Sequence, residues 1–241
     1  MPQSEIVNRD SKIYKHIFFD LDHTIWDFDK NAEETLHELY GVYKLRGVGL
    51  HSADLFIETY TRNNHKLWAQ YHLGEITKLE LRDARFKTTF MELGLHPDLI
   101  PADFEDAYVN LCPTKTNLFP HAHETLAYLK GKYTLHLISN GFKDSSQLKI
   151  NGCNLGEYFA NIIISEDVGV NKPDPQIFRH AIELAGGTIE ESVMIGDSIE
   201  ADIRGAMGVG MDAIYFNPFH LDKPADVTLQ IHHLKELTQI L

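Results

Sequence analysis

The second half of the chain alternates short, nearly continuous apolar runs with amphipathic stretches. That rhythm constrains the fold more than any other feature. Residues 134–138, 161–164, 192–195, 212–216 and 227–231 read as buried strands, with helical segments such as 175–184 and 199–207 between them. Strands alternating with helices build βαβ units, and βαβ units build a parallel sheet. One further run of this kind, residues 13–19, stands near the start of the chain and ends in Ile17-Phe18-Phe19. It is expected to enter the same sheet.

Between that first strand and the alternating half, the period changes from 2 to 3.6. Leu36, Leu39, Tyr40 and Tyr43 fall on one helical face. Ser52 reads as the N-cap of a second helix carrying Phe56, Tyr60, Leu67 and Tyr71, which breaks at Gly74-Glu75. A third helix holds Leu79, Arg82, Phe86 and Phe90 and stops near Gly94. A fourth holds Phe104, Ala107, Tyr108 and Leu111 and stops at Pro113. The expected fold is α/β, a doubly wound, Rossmann-like parallel-sheet core with an inserted α-helical bundle. The core takes residues 1–26 and 114–241, and the bundle takes residues 27–113.

In an open parallel sheet, ligands gather at the carboxyl ends of the strands. Here the first strand ends at Asp20, with Asp22 two residues on. Another ends at Ser139-Asn140, and another at Gly196-Asp197, with Asp202 following; Lys172 lies in the loop 169–173. Carboxylates crowded at strand ends repel one another unless a hard cation sits among them, and Mg²⁺ favours a few carboxylates together with phosphate oxygens. A serine hydroxyl and a lysine ammonium suit the oxygens of a transferring phosphoryl group. Taken singly, each element has a plainer reading as a turn, a helix cap or a solvated loop. Their joint occurrence in this order favours phosphate chemistry.

The set Phe18-Phe19-Asp20-Leu21-Asp22-His23-Thr24, Leu137-Ile138-Ser139-Asn140-Gly141, Lys172-Pro173-Asp174-Pro175 and Val193-Met194-Ile195-Gly196-Asp197-Ser198 resembles the four motifs of the haloacid dehalogenase-like superfamily. The helical insert matches the branch of that superfamily with an α-helical cap. The resemblance implies a Mg²⁺-dependent phosphomonoester hydrolase acting through an aspartyl phosphate. Asp20 would be the nucleophile and Asp22 the general acid and base. Thr24, Ser139, Asn140 and Lys172 would serve the phosphoryl group, Thr24 by holding the loop. Asp20, Asp197 and the backbone carbonyl of Asp22 would ligate the metal, and Asp202 would stand behind them or orient Lys172. An acid at position 22 disfavours carbon–halogen cleavage, which gives no alkoxide to protonate, and the phosphonate-cleaving branch carries a different residue there.

Residues 22–28, Asp-His-Thr-Ile-Trp-Asp-Phe, together with Leu67-Trp68, Gly74-Glu75-Ile76 and Arg82 to Phe86, resemble the pyrimidine 5′-nucleotidase-like group. A nucleoside monophosphate is the substrate this implies. A phosphomutase, another small-metabolite phosphatase (sugar phosphate, phosphoglycolate) and a phosphate-ester-binding regulatory module are the alternatives. Trp26 reads either as a stacking platform for a base or as packing between bundle and core. Trp68, Tyr71 and Phe90 read as bundle core. Arg82 and Arg85 either face the cleft or form a solvated face. His121, His123, His232 and His233 read as surface.

The charge balance excludes other functions. With 22 Lys plus Arg against 35 Asp plus Glu, the net charge is −13, the wrong sign for a nucleic-acid polymer or an anionic membrane surface. Cys112 and Cys153 fit no zinc or disulfide pattern, and no signal-peptide core or membrane-length apolar run is present. The expected setting is cytoplasmic, as a monomer or small homo-oligomer acting on a small phosphorylated metabolite.

Overall fold

The computed structural model describes residues 13–241; residues 1–12 of the expected core segment lie outside the described residues. Strands β1 (His16–Phe19), β2 (Thr134–Ser139), β3 (Phe159–Ile164), β4 (Ser192–Gly196), β5 (Asp212–Phe216) and β6 (Gln230–Ile231) form one sheet. Its order is β3-β2-β1-β4-β5-β6, and every pairing is parallel. Phe19 is registered with Leu137 on one side and Ile195 on the other. The ends of β1, β2 and β4 therefore stand abreast.

Alternation along β1 explains the two-sided core. Ile17 and Phe19 face a cluster that includes Leu126 and Leu129 of helix α5 (Ala122–Lys130). Phe18 faces the other side, against Ile177, Phe178 and Ala181 of helix α8 (Pro175–Ala185). Each such fully buried aromatic ring contributes about 1.5–3 kcal/mol by leaving water. His136 of β2 sits in this second layer with no exposed surface, stacked on Phe18 at 4.7 Å between ring centroids.

Among the described residues, the chain between β1 and α5 forms helices and no strand. These are α1 (Phe28–Val42), α2 (Ala53–His72), α3 (Lys78–Glu92), α4 (Phe104–Leu111) and short 3₁₀ turns. Ser52 caps α2 by accepting from the Leu55 N–H, and Thr77 with Glu80 forms a capping box on α3. Phe56, Tyr60, Phe86, Phe90, Phe104 and Tyr108 interlock inside this layer.

The chain passes between sheet and helical layer twice, and the two passages lie side by side. The Phe119 N–H donates to the Ile25 carbonyl at 3.0 Å, and the Asp27 N–H to the Asn117 carbonyl at 3.1 Å. Buried Asn31 stitches them further. Its Nδ2 donates to the carbonyls of Asp27 (2.7 Å) and Asn117 (2.9 Å), and its Oδ1 accepts from the Asn117 backbone and side chain.

Several expectations are corrected. Residues 13–15 precede β1, and residues 227–229 precede β6. Leu79 is exposed, and Leu81 and Arg85 take the inner face of α3. Arg85 neither faces solvent nor stays free: it is buried, paired with Glu105, and lies over the Tyr108 ring. Trp26 is fully buried, donates its indole N–H to the Lys115 carbonyl at 3.1 Å and meets Phe28 edge-on, so it packs the junction and offers no face to a ligand.

Candidate active site

Asp20 is the first residue beyond β1, and its N–H continues the ladder by donating to the Ile195 carbonyl at 2.9 Å. Opposite it, Lys172 is 1% exposed. The Lys172 Nζ lies 2.5 Å from Asp20 Oδ1, 2.7 Å from Asp202 Oδ1 and 2.7 Å from the Ile138 carbonyl. Asn140 fixes the loop that carries this lysine: its Oδ1 accepts from the Lys172 N–H at 2.8 Å, and its Nδ2 donates to the Lys172 carbonyl at 2.9 Å. The Asn140 side chain is thereby committed, leaving its backbone for a ligand.

A π-helical turn, Ile199–Arg204, brings Asp202 back beneath β4. The Ser198 N–H donates to Asp202 Oδ2 at 3.0 Å. Gly196 permits the close approach, since a Cβ there would fall 2.6 Å from the Asp202 Cβ. Asp197 receives the Thr24 hydroxyl at 3.3 Å. Thr24 is itself fully buried, outside the cleft lining, and meets the carboxylate centre through Asp197.

Asp22 turns the other way. Its Oδ1 accepts from Lys149 Nζ at 2.6 Å, and its Oδ2 faces Gly141, where a Cβ would lie 3.1 Å away. That same Cβ would also stand 3.1 Å from the Ser139 hydroxyl. Ser139, Asn140 and Gly141 thus bound a concavity that any side chain at position 141 would fill. Lys149 belongs to helix α6 (Lys143–Gly152) and is 5% exposed, with its ammonium 4.3 Å from the Trp26 ring centroid.

The electrostatics are those of crowded acids. Burial pushes the Asp20 carboxyl up to about 7, against the pull of Lys172 and with help from Asp202. Burial, then Asp20 and Asp202, push Asp197 well above the carboxylate range. Burial works against the charge on Lys172, but the two aspartates outweigh it and hold the ammonium protonated. Carboxyl oxygens of Asp20, Asp197 and Asp202 lie within 4.8 Å of one another, with one lysine to balance them. This hard-oxygen donor set fits a divalent cation such as Mg²⁺.

A cleft opens above these groups, and a wider second chamber adjoins it. The helical layer forms its roof through Phe28, His65, Trp68 and His72. Trp68, expected in the bundle core, instead lines the cleft and packs on Phe142. Burial, then Lys172, pushes His72 down to about 4, so a neutral imidazole faces the cleft.

Sequence reading missed Lys149 and His72. For Lys149 a signal was present: Ser146, Lys149, Ile150 and Cys153 recur at helical spacing and are all buried, which places a lysine on an apolar face.

Comparison with known proteins agrees with this geometry. The model of a family described as haloacid dehalogenase-like hydrolase matches residues 14–210. Pyrimidine 5′-nucleotidase YjjG of Escherichia coli is 32% identical over 228 residues, covering 93% of this chain and 96% of its own. Pyrimidine 5′-nucleotidase PynA of Streptococcus pneumoniae is 30% identical over 232 residues, covering 95% of each chain. A magnesium-bound crystal structure of the HAD-hydrolase YfnB from Bacillus subtilis, described as revealing interdomain movement, superposes with a TM-score of 0.83 at 28% identity, covering 95% of this chain and 99% of its own. No helix among the described residues is long and apolar enough to cross a membrane.

Proposed function

Because the chain belongs to the haloacid dehalogenase-like hydrolases, we propose that it is a Mg²⁺-dependent phosphomonoesterase. Its substrate is a pyrimidine nucleoside 5′-monophosphate, and residues 27–113 are its cap. One observation carries the reading: Lys172 grips Asp20 beneath a cleft that Asp22 also borders, with Asp197 and Asp202 crowded behind.

In the first half-reaction the Asp20 carboxylate attacks phosphorus and the ester oxygen leaves, taking a proton from Asp22. Lys172, the Ser139 hydroxyl and the Asn140 N–H hold the phosphoryl oxygens as charge develops. In the second half-reaction Asp22 takes a proton from water, which attacks the aspartyl phosphate. The acyl-phosphate P–O bond breaks, phosphate departs and Asp20 is restored. Asp20, Asp197 and the Asp22 carbonyl would hold Mg²⁺, which would supply the positive charge that lets an anionic nucleophile meet an anionic ester. Lys149 keeps the Asp22 carboxyl in line. The roof of aromatic and imidazole side chains excludes bulk water.

Two considerations support a nucleotide. The outer chamber beside Trp68 and His72 gives room for a nucleoside. The named relatives are pyrimidine 5′-nucleotidases.

The test is a screen of nucleoside monophosphates, sugar phosphates and phosphoglycolate, with products identified. Pyrimidine monophosphates should give free phosphate with the highest kcat/KM. Asp20→Asn should abolish turnover with the fold intact, and EDTA should stop the reaction. An isomerised sugar phosphate, or hydrolysis by Asp20→Asn at the wild-type rate, refutes the reading.

A further inference from the structure

Apart from the carboxylate centre, a second group of metal-ligating side chains stands at the mouth of the cleft. His23 lies in the turn just after Asp22, Asp29 in the first turn of α1, and His65 midway along α2. His65 Nε2 is 2.8 Å from Asp29 Oδ1, and His23 Nδ1 is 3.9 Å from Asp29 Oδ2. One donor atom from each residue falls within 4.8 Å of the other two. The two imidazole rings meet edge to face, with centroids 5.1 Å apart and planes at 85°, and each has a nitrogen near the Asp29 carboxylate.

A hydrogen-bonded latch alone accounts for part of this arrangement. The His65–Asp29 contact is an ordinary hydrogen bond. His23, however, stands beyond hydrogen-bond range of Asp29, and it does so in a left-handed backbone conformation (φ 63°) that costs a residue with a Cβ. Its ring is brought to the carboxylate without bonding to it. The spacing suits three ligands around one small ion, where donors about 2.0–2.2 Å from the metal lie roughly 3–4 Å from one another.

We propose that His23, Asp29 and His65 form a second metal site that takes one zinc-class cation. Two imidazoles and one carboxylate suit zinc far better than Mg²⁺, whereas the all-oxygen set proposed at Asp20, Asp197 and the Asp22 carbonyl has the opposite preference. His23 and His65 line both chambers, and Asp29 lines the outer one. The three ligands come from the turn behind Asp22 and from two helices of the roof. An ion bound there ties the roof to that turn.

The experiment titrates zinc against a chromophoric chelator, with the full chain in a large excess of Mg²⁺ to occupy the oxygen site. The wild type should hold one zinc per chain, and zinc should raise its melting temperature. His65→Ala, at an exposed helical position, and Asp29→Asn should each weaken zinc binding by more than about tenfold and lose the rise in Tm. Circular dichroism verifies the fold of each variant. Absence of zinc binding in excess Mg²⁺, or variants that bind as tightly as the wild type, overturns the proposal. Neither outcome depends on which ester the enzyme cleaves.

Discussion

Replacing Lys149 by methionine tests whether the proposed acid–base residue is held in place by a partner far along the chain. The substitution keeps the length and apolar stem and removes the ammonium that stands 2.6 Å from Asp22, in a pair whose side chains are 6% and 21% exposed. Breaking a buried pair costs about 3–5 kcal/mol when nothing replaces it. Asp22 is partly solvated, so the lower end of that range is expected for stability. The effect on rate follows from the role proposed for Asp22. A general acid contributes roughly 10²–10⁴-fold, and misplacement by about 1 Å forfeits about 10² of it. An alkyl ester such as a nucleoside monophosphate needs its leaving oxygen protonated, so its kcat should fall about 100-fold, equal to about 2.7 kcal/mol of barrier. An aryl ester with an acidic phenol leaves without that proton and should lose only a few-fold. The assay is therefore paired: kcat for a nucleotide and for a nitrophenyl phosphate, wild type against Lys149→Met, with thermal melts confirming the fold. Equal losses on both esters, or no loss on either, would refute a positioning role and leave Lys149 as packing alone.

Two further outcomes are expected. Gly196→Ala forces the new Cβ into the Asp202 carboxylate, 2.6 Å from its Cβ. Asp202 must then release Lys172 or Ser198, so kcat/KM should drop about 100-fold and stability by about 1–3 kcal/mol, read by steady-state kinetics and urea unfolding. His136 is buried neutral, with burial, then His16, pushing it from 6.5 down to about 4. The unfolded chain binds that proton first, so this group leaves stability untouched above pH 6.5 and removes it as pH falls toward 4. The loss by pH 4 is about 3 kcal/mol. Unfolding midpoints across that range should slope less steeply for His136→Leu than for the wild type, and parallel slopes would contradict the assignment.

The parallel sheet and the residues around Asp20 were legible because their determinants are adjacent in sequence. An apolar run, a polar residue at its end and a glycine beside it are all local. What escaped is set by contacts across elements. Lys149 meets Asp22 over a separation of 127 residues. His72 and Trp68 become cleft residues only because α2 lies across the ends of the strands. Trp26 illustrates the ambiguity of aromatics: stacking platform and packing wedge share one sequence signature, and the Lys115 carbonyl decides between them. The slip on α3 has a similar cause. The capping box at Thr77 fixes where the helix starts, and the buried stripe then runs through Leu81, Arg85 and Thr89 in place of Leu79. A buried arginine on that stripe reads as polar surface until Glu105, on another helix, is seen to neutralise it. The grouping of His23, Asp29 and His65 was invisible for the same reason, as no two of them are neighbours in the chain.

The clasp at Asn31 and Asn117 governs how the roof can travel. Two slack tethers would let a lid slide, twist and tilt independently. Here the crossings are bonded to each other, backbone to backbone and through both asparagine amides. If the roof moves, the freedom left to it is a swing about one line, like a door on its pin. A door of that kind would present the same inner surface to Asp20 on every closing. Under the proposed function, selectivity would then be written in the side chains it carries, Phe28, Trp68 and His72 among them. A change of ester would require repainting the panel; loosening the pin would admit water without changing what fits.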